Sequence, residues 1–168
     1  MEIYALQVNH LSNPLGYALG KGKLSFSWKV KDAKGKSQTY ARVRIAADEA
    51  MQEILFDSGE DREANSLGYK IDFKTKPRTR YYWTLELASD AGEVTVSVPQ
   101  FFETAKMDEA WTGRWITCAT DQARHPYFVK DIAAKEEVVR ARLYVCGLGL
   151  YEAYWDDKKI SNEYLTPY

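Results

Sequence analysis

The feature that most constrains this chain is a hydrophobic period of two. Leu24, Phe26, Trp28 and Val30 alternate with Ser25, Ser27 and Lys29. Because successive strand side chains point to opposite faces, such a run has one apolar side to bury. The pattern returns where Ala41, Val43 and Ile45 alternate with Arg42 and Arg44, and where Tyr81, Trp83, Leu85 and Leu87 alternate with Tyr82, Thr84 and Glu86. Val94, Val96 and Val98 repeat it after the turn Asp90-Ala91-Gly92. Half-buried strands joined by short connections belong to an antiparallel sandwich.

The connections carry turn chemistry: Asn13-Pro14-Leu15-Gly16, Lys31-Asp32-Ala33-Lys34-Gly35 and Asp57-Ser58-Gly59, all rich in residues that tolerate turn dihedrals. Only Asp48 to Ile54 reads as a helical turn, too short for an α domain. Residues 1 to about 105 therefore read as roughly seven strands. Pro77-Arg78-Thr79-Arg80-Tyr81 stands where immunoglobulin-type sandwiches place a corner tyrosine, whose hydroxyl ties back to upstream backbone. Its spacing resembles the P-x-T-x-Y run of fibronectin type III domains.

The alternation stops at Ala105-Lys106-Met107-Asp108-Glu109, which sets a boundary between residues 1–105 and 106–168. New strand patterns follow at Arg114 to Cys118, Tyr127 to Ala133, Val138 to Cys146, Tyr151 to Trp155 and Lys159 to Tyr164. Val139, Ala141, Leu143 and Val145 share one apolar face of the longest. Four or five strands in so few residues make an incomplete sandwich with open edges, and such edges are expected to be covered by the first domain or by a second copy of the chain.

Composition excludes several functions. With 45% hydrophobic and 28% charged residues the chain can bury a core, and a net charge of -1 gives no field to hold nucleic acid. No basic segment followed by an apolar run opens the chain, and nothing approaches the roughly 18 apolar residues of a membrane span. Neither a nucleic-acid nor a membrane partner is expected, and the compartment stays open. Cys118 and Cys146 lack metal spacing and read as buried thiols. His10 and His125, the two histidines, are too few for a histidine-rich zinc site or a serine-histidine hydrolase.

One ordered series of segments is more specific: Asn13-Pro14-Leu15-Gly16, Leu24-Ser25-Phe26-Ser27-Trp28, Asp57-Ser58-Gly59, Arg80-Tyr81-Tyr82-Trp83 and Phe102-Glu103-Thr104. Trp111-Thr112-Gly113-Arg114-Trp115-Ile116, Ala141-Arg142-Leu143-Tyr144-Val145, Gly147-Leu148-Gly149-Leu150-Tyr151-Glu152 and Leu165-Thr166-Pro167 continue it. The series resembles the N-terminal region of bacterial α-L-rhamnosidases, glycoside hydrolase family 78. The resemblance implies an all-β architecture, with a fibronectin type III-like sandwich over residues 1–105 and the beginning of a jelly roll over 106–168. It further implies a parent enzyme that removes terminal α-L-rhamnose with inversion, by two carboxyl groups on a downstream helical barrel. The chain itself is then a non-catalytic scaffold whose partners are that barrel and, through it, rhamnose-containing glycans. The rival reading is a free-standing carbohydrate-binding or adhesion module.

Departures from the family pattern fall at Gly113, where alanine is usual, and at Trp155, where a smaller apolar residue is usual. At Asp156-Asp157 the family usually has Asn-Gly, the pair suited to a tight hairpin with positive φ at both central residues. Two aspartates pay a steric cost there, so a wider or differently typed turn is expected.

No catalytic residue is nominated. Glu60-Asp61, Glu136-Glu137 and Asp156-Asp157 are adjacent acids, and neighbours on a strand point apart rather than converge. Trp28 and Trp83 fall on the apolar phase of their strands and read as core. Tyr151, Trp155 and Tyr164 are the candidate sugar platform, since an aromatic face packs on the apolar face of a pyranose. No cofactor is required. Some jelly-roll modules of the resembling family bind rhamnose with calcium, and oxygen-rich turns suit that ion, so Asp156 and Asp157 are the candidate ligands.

Overall fold

The computed structural model describes residues 1–16, 24–119, 126–134 and 137–161. Its regular elements are all strands: β1 (Glu2–Val8), β2 (Leu24–Lys31), β3 (Gln38–Ala46), β4 (Ile54–Asp57), β5 (Tyr69–Ile71), β6 (Arg80–Ser89), β7 (Val94–Val96), β8 (Gln100–Glu103), β9 (Tyr154–Trp155) and β10 (Lys158–Lys159). Among the described residues, no helix is long and apolar enough to cross a membrane. Two compact units are present, Met1–Thr112 and Gly113–Tyr168.

The first unit is a sandwich of antiparallel strands. One sheet has the order β1-β2-β5 and the other β4-β3-β6-β7, with β8 also pairing β6. The period-two runs predict the core: Leu24, Phe26 and Trp28 of β2 and Trp83, Leu85 and Leu87 of β6 are all buried. Phe26 meets Trp83 edge to face, with ring centroids 4.7 Å apart, a favourable aromatic geometry. The two indoles differ in hydrogen bonding. Trp28 Nε1 donates to Gln38 Oε1 at 3.3 Å, whereas Trp83 Nε1 is sealed in without a partner among the described residues, an arrangement that costs about 1–3 kcal/mol.

The corner tyrosine is in place. Tyr81 is buried, and its hydroxyl accepts a hydrogen bond from the Lys76 N–H at 2.8 Å. Beside it, the buried Thr104 hydroxyl accepts from Thr79 N–H at 2.9 Å and donates to Lys76 C=O at 2.6 Å. The Asn-Pro-Leu-Gly turn is structural as well. Asn13 Oδ1 accepts from Phe101 N–H at 2.9 Å, and Pro14 C=O accepts from Glu103 N–H at 2.9 Å, so the turn straps the edge of β8.

The valine run after Gly92 faces out. Val96 pairs with Glu86 across β6 and β7, so it shares the outer face with that carboxylate; Val94, Val96 and Val98 are exposed. Alternation reports that the two faces differ. It does not report which one is covered.

In the second unit the described ladder is one hairpin, β9–β10. The segments read as strands at Arg114 to Cys118, Tyr127 to Ala133 and Val138 to Cys146 carry no ladder among the described residues. Val139 is 93% exposed. A strand is defined by the neighbour that takes its backbone hydrogen bonds, and these segments form no such ladder among the described residues. The thiols also depart from expectation. Cys146 is exposed and Cys118 half-buried, and they form no disulfide.

Candidate functional site

Two of the residues singled out as a sugar platform, Tyr151 and Trp155, lie at or next to the β9–β10 hairpin. Trp155 pairs with Lys158 and Tyr154 with Lys159, leaving Asp156 and Asp157 as a two-residue tip with φ of 45° and 62°. That is the tight turn with both central residues left-handed, and it corrects the expectation of a wider one. The twist of such a turn matches the strands it joins, and aspartate tolerates the left-handed region better than most side chains. The register therefore overrides the local preference.

Glu152 is the polar centre of this hairpin. Its carboxylate accepts from Lys159 Nζ at 2.7 Å and from the Tyr154 hydroxyl at 2.7 Å. Lys159 first, then Tyr154, holds that carboxyl below the usual glutamate range. Tyr151 packs against Gly147, where a Cβ would lie 2.6 Å from the ring, so glycine is required by close approach. Glu152 and Tyr154 lie two apart in sequence, a spacing that could have found their contact; Lys159 joins them only through the hairpin register.

A recess of about 150 Å³ is lined by Leu143, Val145, Tyr151, Glu152, Lys159 and Ile160, among others. Ligand pockets usually begin near 300 Å³, so it holds at most one small ring. Of the sequence candidates, Tyr151 lines the recess, and Trp155 stands outside it with its side chain exposed. Tyr164 lies outside the described residues. Asp156 and Asp157 sit exposed at the tip, and no group of three or more His, Cys, Asp or Glu able to hold a metal occurs among the described residues.

Several carboxylates of the sandwich are engaged in structural pairs. Asp57 takes a bidentate Arg42, from Nε at 2.8 Å and Nη2 at 2.6 Å, and Arg42 brings its pKa down to about 2. Glu86 binds Arg44 at 3.2 Å and accepts the Tyr40 hydroxyl at 3.1 Å. Glu103, nearly enclosed, pairs with Arg80 at 3.0 Å. Asp61 accepts the Tyr69 hydroxyl at 2.8 Å and caps Glu63 N–H at 2.8 Å. Inverting hydrolysis needs one carboxylic acid and one carboxylate facing each other across a sugar and a water. These acids instead hold strands together.

Residues 3–108 match the family model for the Rha78A-like, N-terminal immunoglobulin domain. The chain belongs to that family. This member of the Rha78A-like immunoglobulin family is also similar to an α-L-rhamnosidase of Formosa agariphila, 28% identical over 193 residues, covering 95% of this chain and 20% of that protein. An α-L-rhamnosidase of Streptomyces avermitilis is 28% identical over 131 residues, covering 75% of this chain and 13% of that one. The crystal structure of Streptomyces avermitilis α-L-rhamnosidase complexed with L-rhamnose superposes with a TM-score of 0.61 at 27% identity, over 68% of this chain and 12% of that chain. The structure of α-L-rhamnosidase from Dictyoglumus thermophilum shares the fold, with a TM-score of 0.56 at 22% identity over 65% of this chain and 13% of that chain. The Rha78A-like chain thus spans one fifth or less of the length of these relatives.

Proposed function

We propose that this chain is the non-catalytic N-terminal accessory region of an α-L-rhamnosidase, an exo-acting enzyme that hydrolyses terminal α-L-rhamnose with inversion on a separate helical barrel. In this reading residues 1–105 are the fibronectin type III-like sandwich and residues 106–168 are the beginning of a jelly-roll domain. One observation carries it: the chain aligns along most of its length with α-L-rhamnosidases while covering 20% of the length of the Formosa agariphila protein. The engagement of Asp57, Glu86 and Glu103 with arginines supports a scaffold role.

The test is hydrolysis of an aryl α-L-rhamnoside by the 168-residue chain. No aryl alcohol is released above the buffer rate if the reading holds, and turnover at enzymic rates overturns it. Association through open strand edges belongs to the same proposal. Sedimentation of the chain shows a concentration-dependent rise in mass if it is right, and a monomer at all concentrations if it is not.

Exposure of Trp155 and Tyr154 on a tight hairpin favours a second reading, a carbohydrate-binding module. Titration with L-rhamnose, with and without calcium, then gives saturable heat that Trp155→Ala abolishes. Calcium dependence of that heat implicates Asp156 and Asp157.

A further inference from the structure

The alternation of apolar residues ends at Thr104, but the backbone pairing does not. Arg80 faces Glu103 at the end of the β6–β8 ladder. The next two steps of the same register are also bridged, Thr104 N–H donating to Thr79 C=O and Arg78 N–H donating to Ala105 C=O, both at 2.9 Å. The pairing thus runs two residues past the ends of both strands, onto the corner that precedes β6. The segment leaving the sandwich is held there, with Ala105, Lys106 and Met107 half-buried.

That segment then turns back on itself. Glu109 N–H donates to Lys106 C=O at 3.2 Å, closing a turn in which Met107 has a φ of 51°, and the Thr75 hydroxyl donates to Met107 Sδ at 4.0 Å. The turn brings the Glu109 carboxylate to 2.6 Å from Arg78 Nε. Lys106 Nζ stands over the Trp111 ring, 5.0 Å from its centre.

Arg78 is therefore bonded to the exit segment twice, through its N–H to Ala105 and through its guanidinium to Glu109. Its backbone is left-handed, with a φ of 53°, a region that disfavours a side chain bearing a Cβ. Glycine would adopt that φ without strain, but it would bring no guanidinium. A strained residue persists where its surroundings fix it, and the outgoing chain is bonded to Arg78 on both counts. We infer that Arg78 is the latch of a stiff exit: residues 105–109 move as part of the sandwich rather than as a free linker, and the chain beyond Glu109 leaves from a fixed point on the corner. The ion pair is the part of the latch that opens, because both side chains are about half exposed and such pairs are weak and screened by salt. This latch lies within the Met1–Thr112 unit and does not depend on the function proposed above.

Amide exchange of the full chain tests it. In the parent, the amides of Arg78, Thr104 and Glu109 are all protected. Arg78→Gly removes the guanidinium while relieving the left-handed φ, and Glu109→Ala removes the carboxylate while leaving the corner untouched. Each speeds exchange at Glu109 about fivefold, the most that an exposed ion pair supplies, and in Glu109→Ala the amides of β6 keep their rates. Sodium chloride at about 1 M does the same to the parent and has no further effect on either variant. The latch is overturned by a Glu109 amide that exchanges at the unstructured rate in the parent, by no acceleration in either variant, or by equal acceleration across β6 in Glu109→Ala.

Discussion

The two units use the same alternation and reach opposite ends. In the sandwich, Val43 and Leu85 sit on the apolar phase and are fully buried; in the second unit, Val139 and Leu143 sit on an equally clear apolar phase and are exposed. The difference lies outside the strands themselves. β3 and β6 pair along most of their length, and the β1-β2-β5 sheet supplies Phe26 and Trp28 against their inner face, whereas residues 138–146 carry no strand ladder among the described residues. A period of two specifies a surface, and only a second surface turns it into stability.

The largest expected effect on that comparison is in the core. Leu85→Ala should cost about 3 kcal/mol, while Val139→Ala should change stability by less than about 0.5 kcal/mol, both read from denaturant unfolding. Equal losses would erase the distinction. Next, Thr104→Val should cost about 2 kcal/mol, because it strips the Thr79 N–H and Lys76 C=O of their partner. If the variant unfolds at the parental midpoint, Thr104 is not a tie.

A smaller effect concerns acid. Arg42 depresses the Asp57 carboxyl from 3.8 to about 2. A group with a depressed folded-state pKa contributes stability above its unfolded value and loses it as pH falls. Stability of the sandwich should therefore drop from near pH 4 toward pH 2, and Asp57→Asn should flatten that slope. The smallest effect is at the hairpin tip. Asp157→Gly relieves a φ of 62°, is worth up to about 1 kcal/mol, and should slow amide exchange at Lys158 and Lys159.

Much of the sandwich was legible because its signals are local. The Pro77 to Tyr81 run announced the corner tyrosine, and the alternation of β2, β3 and β6 named the core residues. Two features depended on distant partners. The outward valines of β7 follow from its register against Glu86. The Asp156-Asp157 turn follows from the pairing of Trp155 with Lys158, which overrode the steric preference read from two aspartates. Tyr151 and Trp155 were legible as aromatic residues near a hairpin, but not that Glu152 would bind Tyr154 and Lys159 beside them.

Native-state amide exchange across the whole chain tests the central contrast most directly. Amides of β2, β3 and β6 should open only with global unfolding, while those of residues 138–146 should exchange within a small factor of the unstructured rate. Protection of residues 138–146 equal to that of β6, in the monomeric chain, would contradict the account.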